Sequence, residues 1–252
     1  MKRLYSFLCI VYLVTTSFYL SPDKVTLKKE NISTKKIEKL ADIKSEQTTN
    51  TVSSSEDLYK SIPFEPNHEL SFEVFSKALT GFENLKKAGL LHQDSHLLTI
   101  CDFSMSSNTK RLWVLDLNEK KVLFNSLVAH GKNTGEEFAQ NFSNTESSYQ
   151  SSLGFYITDV TYSGDNGYSL KLLGMDKGFN DAALQRAVVM HGADYVSEEF
   201  AAVHKRIGRS WGCPAIPRNL TEPIINTIKG KSCLFIYYPD QNYLSTSEWL
   251  KS

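Results

Sequence analysis

Two short stretches of the chain hold residues that can do chemistry. Val188-Val189-Met190-His191-Gly192 places a histidine at the end of an apolar run, and Gly208-Arg209-Ser210-Trp211-Gly212-Cys213-Pro214-Ala215 places a cysteine between a glycine and a proline. A thiol is a nucleophile once ionised, and an imidazole or cationic neighbour lowers its pKa. Gly212 has no Cβ, so the backbone beside Cys213 can approach a substrate closely and its amides can point at a developing oxyanion. Pro214 and Pro217 stiffen the segment that follows. A Cys–His acyl-transfer site needs these parts. Each also has a plainer reading. A cysteine after glycine is more often a small buried residue, and a strand histidine is more often structural. Local chemistry alone leaves both readings open.

Something must bring the two stretches together, and the hydrophobic pattern says what. Phe72, Phe75, Leu79, Phe82 and Leu85 recur at three or four residues, which predicts a helix over 71–88 closed by Gly89. Apolar or alternating runs over 97–103, 111–117 and 121–129 predict strands, the last two joined by a hairpin at Asn118-Glu119-Lys120. Residues 131–152 are polar without apolar period and predict a long loop, a candidate functional segment. Further strands are predicted over 153–162 and 168–173, flanking the turn Ser163-Gly164-Asp165-Asn166-Gly167. Beyond them the pattern predicts a short helix over 180–187, a buried strand over 188–191 and a helical turn over 198–205. A short helix over 224–228 closed by Gly230 and a core strand over 233–238 complete the pattern. The alternation of a parallel βαβ sheet is missing. The expected fold class is therefore mainly β, a sandwich or barrel with an N-terminal helix and short peripheral helices. Residues 57–252 are long enough to form one core.

Composition narrows the function classes. The 252 residues carry 28 basic and 28 acidic side chains, so there is no cation surplus to release counterions from phosphates, and a nucleic-acid partner is excluded. Four cysteines are too few for a disulfide-built scaffold. Lys2 and Arg3 precede an apolar run from Leu4 to Leu20, and Thr15 and Ser17 are small enough to flank a cleavage site. Residues 1–20 thus read as a signal peptide or an uncleaved N-terminal anchor. Either way the rest of the chain is expected outside the cytoplasmic membrane, in the periplasm or cell envelope, touching a membrane only through this segment. Cys9 follows bulky Leu8, which disfavours lipidation. Residues 21–56 lack glycine and are rich in Lys, Ser, Thr, Glu and Asn, the composition of a flexible linker. Without residues 1–20 the net charge is −2, because two cations and no anions are lost.

The site stretches resemble those of the YkuD-like L,D-transpeptidases of the bacterial cell wall, in particular the murein L,D-transpeptidase catalytic domain family. That family carries a His-Gly pair upstream of Ser-x-Gly-Cys, matched here by His191-Gly192 and Ser210-Trp211-Gly212-Cys213. Similar segments include Leu112-Trp113-Val114-Leu115-Asp116, His130-Gly131-Lys132-Asn133-Thr134-Gly135, Phe142-Ser143-Asn144, Ser151-Ser152-Leu153-Gly154, Gly178 with Asn180, Arg186, and Ala193-Asp194-Tyr195-Val196 after the His-Gly pair. The resemblance covers residues 57–240. It implies a Cys213 nucleophile, His191 as general base and backbone amides near Trp211–Cys213 as an oxyanion hole. The implied substrate is a peptidoglycan stem peptide, which loses its terminal D-alanine to give a thioester. An amine from another stem would resolve the thioester into a 3–3 cross-link, and water would give a carboxypeptidase outcome. The resemblance implies no metal and no cofactor, and the protein is expected to be a monomer.

Better-known members carry histidine where this chain has Trp211 and arginine where it has Ala215. Arg186, Arg206 and Arg209 are the cations that could hold a substrate carboxylate instead, and Arg186, Arg209, Ser210 and Gly192 are the expected substrate-binding residues. Their plainer reading is structural. His204 reads as a surface-helix residue. Two other kinds of Cys–His enzyme fit less well. NlpC-type wall hydrolases place the cysteine first, and sortases place the histidine far upstream. A non-catalytic wall-binding module is the remaining alternative. Cys101 and Cys233 fall in strand-like runs, as two buried thiols or, in an oxidising compartment, as a pair.

Overall fold

The computed structural model describes residues 54–251. The expected signal or anchor, Cys9 and residues 21–53 of the linker lie outside the described residues. Helix α1 covers residues 54–60 and so begins inside the range read as linker. It is ordered by packing. Leu58 and Tyr59 lie against the core, Tyr59 meets the rings of Phe64, Phe72 and Phe75, and its hydroxyl donates to Leu70 O at 2.6 Å.

Helix α2 (Phe72–Lys87) buries the stripe that its spacing predicts, with Phe75, Leu79, Phe82 and Leu85 turned inward. Phe72 is only partly covered at the start of that stripe. Gly81 is needed on the inner face, since a Cβ there would come within 2.0 Å of the Phe155 ring. Phe155 in turn stacks on Phe235 at 4.1 Å, tying helix to sheet.

The eight strands are β1 (Leu97–Asp102), β2 (Leu112–Asp116), β3 (Lys121–Ser126), β4 (Gly154–Gly164), β5 (Gly167–Gly174), β6 (Val189–Ala193), β7 (Ala215–Pro217) and β8 (Cys233–Tyr237). They form one sheet in the order β3-β2-β1-β8-β4-β5-β6-β7. Neighbours pair antiparallel except β1 with β8 and β6 with β7, which are parallel. The chain leaving edge strand β3 reaches the other edge. Ala129 bridges Ala215 and Gly131 bridges Ser210, so the sheet nearly closes on itself. The fold is mainly β with short peripheral helices, as the pattern requires.

Two local expectations change, and for the core cysteines the reading as buried thiols holds over the pairing. Residues 180–187 form successive turns rather than a helix. Their backbone bonds run Ala183 to Asn180, Arg186 to Ala182, Ala187 to Leu184 and Val188 to Ala183, with no repeated four-residue step, and Ala187 sits at φ 54°. The helix expected over 224–228 starts earlier, as α4 (Thr221–Ile228), with Pro223 in the first turn where its missing N–H leaves no bond unmade. Cys101 and Cys233 do not pair. Both are fully buried thiols, and the register sets Cys101 opposite Ile236 and Leu98 opposite Cys233. That is a three-residue offset on neighbouring strands, roughly 10 Å along the chain, with the side chains on opposite faces. It exceeds the span of a disulfide.

Two further helices complete the fold, α3 (Glu198–His204) and α5 (Gln241–Thr246). His204 lies exposed on α3 against the Phe200 ring. Among the described residues no helix is long and apolar enough to cross a membrane.

Candidate active site

The parallel pairing of β6 and β7 makes the site. His191 sits opposite Ala215, and Cys213 lies two residues before Ala215, at the entry to β7. The Cys213 sulfur accepts from the Val189 N–H at 3.5 Å, and the thiol donates to Ala187 O at 3.8 Å. Val189 and His191 share a face of β6, because side chains alternate along a strand. The thiol therefore lies at the start of the strand that bears the imidazole. No hydrogen bond joins the two directly. A second, smaller core of Leu127, Ala129, Ala193, Val196, Ile207 and Ala215 packs on the face of these strands that bears His191, while Met190 and Ile216 turn to the main core on the other face.

The turn before Cys213 is tightly bound. Ser210 Oγ donates to Cys213 O at 2.6 Å and accepts from the Gly212 N–H at 3.0 Å. Ser151 Oγ donates to Gly212 O at 3.1 Å and accepts from the Gly131 N–H at 3.1 Å. Gly212 has φ 126°, and a Cβ there would lie 2.7 Å from Gln150 O. A Cβ on Gly131 would come within 3.0 Å of the Gly212 Cα. The two glycines thus let the loop over 131–152 meet the segment that carries Cys213 backbone to backbone. Gly192 serves packing, since its bare Cα lets Thr221 of α4 approach, with Thr221 Oγ1 2.0 Å from where a Cβ would stand.

Burial lowers the His191 pKa, the Gly192 carbonyl offsets this in part, and Arg218 lowers it further. The imidazole is then neutral at neutral pH. Its Nδ1 lies 3.1 Å from Gly192 O, and a carbonyl only accepts, so Nδ1 carries the proton and Nε2 keeps the lone pair of a base. Burial raises the Cys213 pKa, while the Val189 N–H and the Arg186 charge act against it. The resting pair is therefore thiol and neutral imidazole. A raised thiol pKa moves thiolate formation to higher pH. Iodoacetamide should thus modify Cys213 with a rate that climbs on the alkaline side of an ordinary cysteine. It should spare fully buried Cys101, pushed up to about 12, and Cys233, raised by the same cause. Peptide mapping across a pH series checks this. A rate already level at neutral pH, or modification of Cys101 first, contradicts it.

The arginines expected to bind substrate are occupied. Arg186 donates to Ser143 O at 2.8 Å, Gln150 O at 2.8 Å, Ser148 Oγ at 3.2 Å and Ser152 Oγ. It clamps the loop beside Cys213, and its charge reaches the thiol. Arg209 donates to Lys132 O, Gly135 O and Glu136, and Arg206 pairs with the same Glu136 at 2.9 Å. Ser210 is 4% exposed and spends its hydroxyl on the turn. Trp211 is the opposite case, 74% exposed, with its ring 5.7 Å from that of Tyr149.

Other supporting residues include Asp176 and Arg111, which carry no local sign of their role, and Asn180 and His130, whose segments bear the resemblance. Buried Asp176 accepts from the Phe155 N–H at 2.7 Å and from Ser247 and Tyr243, and Asn180 donates to Phe155 O at 2.9 Å. These bonds fix the turns that deliver Arg186. Buried His130 accepts from Arg111 at 2.8 Å and is held neutral, its pKa lowered to about 3 by burial first and the Arg111 charge second. His130 is thus part of the scaffold under the loop. Among the described residues no group of three or more His, Cys, Asp and Glu is placed to hold a metal.

Fold and site together define a mainly β domain with a partly buried thiol and a buried neutral histidine at paired strands on the sheet's edge. The family model described as the L,D-transpeptidase catalytic domain matches residues 66–237, and the chain belongs to that family. Similar solved structures include an L,D-transpeptidase from Mycobacterium smegmatis, with 10% identity over 57% of this chain and 59% of that one and a TM-score of 0.36. The helical cell shape determining protein Pgp2 from Campylobacter jejuni matches with 15% identity over 66% and 55% of the two chains and a TM-score of 0.38. An L,D-transpeptidase from Xylanimonas cellulosilytica matches with 9% identity over 75% and 93% and a TM-score of 0.32. The chain spans less than two thirds of the length of the first of these relatives. No curated protein matches it.

Proposed function

We propose that the protein is a peptidoglycan L,D-transpeptidase that works through a Cys213 thioester. The observation that carries this reading is the placement of the Cys213 thiol at the head of β6, the strand bearing a neutral His191 with its Nε2 lone pair free. His191 takes the thiol proton as sulfur attacks the carbonyl of the third stem residue. The oxyanion that forms is held by backbone. Ser210 already occupies the Gly212 N–H, which leaves the Cys213 N–H as the amide for that role. The C–N bond breaks, the imidazolium gives its proton to the departing D-alanine amine, and the stem remains as a thioester on sulfur. An amine of a second stem then adds to the thioester carbonyl, loses a proton to His191, and expels the thiol. The amide formed is the 3–3 cross-link. The N-terminal segment supports action outside the cytoplasmic membrane, and no step calls for a metal or cofactor.

Incubation with a carbapenem and with a stem tetrapeptide, read by intact mass, tests the reading. The expected result is a covalent adduct and loss of D-alanine by the wild type but not by Cys213→Ala. Cross-linked dimer identifies transfer, and free tripeptide identifies hydrolysis on the same acyl-enzyme. Neither adduct nor D-alanine release at any pH tested would refute the enzyme reading and favour a wall-binding module.

A further inference from the structure

We infer that Lys132 is the receptor for the terminal carboxylate of the donor peptide, an assignment that rests on the function proposed above. Among the described residues near Cys213, the arginines are committed to other partners and Lys132 is in no ion pair. Position 215 is an alanine packed into the small core, with no cationic side chain to offer. Arg206 and Arg209 both face Glu136, and Arg186 is spent on four loop atoms. Lys132 is exposed, and among the described residues no carboxylate lies within ion-pair distance of it.

Its position is nonetheless built. The Lys132 N–H donates to Ser210 O at 2.8 Å, which fixes its backbone to the turn that holds Cys213. Its ammonium stands 4.3 Å from the centre of the Tyr149 ring, a cation–π contact. Tyr149 sits at φ 54°, its carbonyl accepting from the Asn133 N–H at 3.1 Å and its ring edge-on to Trp211. Lys132, Tyr149 and Trp211 thus make one ledge on the turn that leads into Cys213, aromatic along its length and positive at its end. A peptide whose scissile carbonyl lies at the sulfur carries its free carboxylate one residue further on. An ammonium on an aromatic ledge suits that group. The cation is directed by the ring, and it pairs with an anion without losing an existing ion pair.

The experiment uses the full chain and two probes, a stem tetrapeptide ending in free D-alanine and the same peptide as its C-terminal amide. KM and kcat are measured for the wild type, Lys132→Gln and Lys132→Arg, and binding of both peptides is measured in parallel for the wild type and Lys132→Gln. The wild type should favour the carboxylate form. Lys132→Gln should raise KM for that form roughly tenfold, the worth of one charge-assisted contact, while kcat and the amide peptide are unchanged. Lys132→Arg should keep most of the preference. A preference that survives in Lys132→Gln, or an equal loss on both peptides, overturns the assignment. The binding arm separates the two readings. A carboxylate preference that depends on Lys132 without turnover supports the receptor and refutes the catalytic reading. Equal binding of both peptides by the wild type refutes the receptor whatever the turnover.

Discussion

Cys213→Ala is expected to lower kcat/KM for acyl transfer by roughly four orders of magnitude or more, while the melting temperature hardly moves. The first half follows from chemistry. Without the sulfur no thioester forms, and neither the histidine nor the backbone amides supply another nucleophile; loss of a covalent nucleophile costs on this scale in other acyl-transfer enzymes. The second half follows from structure. The sulfur's hydrogen-bond contacts are long ones, 3.5 Å to Val189 and 3.8 Å to Ala187, and the residue is only partly covered. A change within about 1 kcal/mol is expected for such a truncation. The measurement is D-alanine release beside a thermal melt of the same preparation. Residual turnover within tenfold of wild type would dismiss Cys213 as the nucleophile.

Gly212→Ala should fail for a different reason. At φ 126° an L-residue is strained, and the new Cβ would stand 2.7 Å from Gln150 O, a backbone atom that cannot swing aside. Moving Gln150 loosens its bond from Arg186, and moving Gly212 loosens the bond from Ser151 Oγ. Strain and collision together should cost about 2–4 kcal/mol. A misplacement near 1 Å at the nucleophile should slow acylation by on the order of a hundredfold. Gly89→Ala separates the two contributions. Its φ is 72°, but nothing lies within 4 Å of the added Cβ, so only the conformational cost of about 1 kcal/mol remains and acylation should be normal. Differential melts and carbapenem acylation rates of both variants check this. Gly212→Ala acylating within threefold of wild type would show that the turn adapts without this glycine.

Much of the scaffold is legible from short-range pattern. The stripe of α2 repeats at helical spacing over 16 residues, and the strands alternate or run apolar, so period and burial agree. The turns over 180–187 mislead because their composition suits a helix while Asp176 and Asn180, tied to β4, impose another path. Strand β7 escapes notice because three residues ending in proline carry no period; only its pairing with β6 makes it a strand.

By itself the sequence determined which residues could act. A thiol after glycine and a histidine ending an apolar run are chemical identities, written locally and readable without coordinates. Tertiary structure alone decided how each charge and thiol is employed. It set Cys101 and Cys233 out of reach of each other, closed Arg186 and Arg209 onto carbonyls and Glu136, and left Lys132 on the Tyr149 ring without an ion-pair partner among the described residues. The physical reason is that side-chain type depends on one position, whereas the partner of a donor depends on strand register and loop closure between segments far apart in the chain.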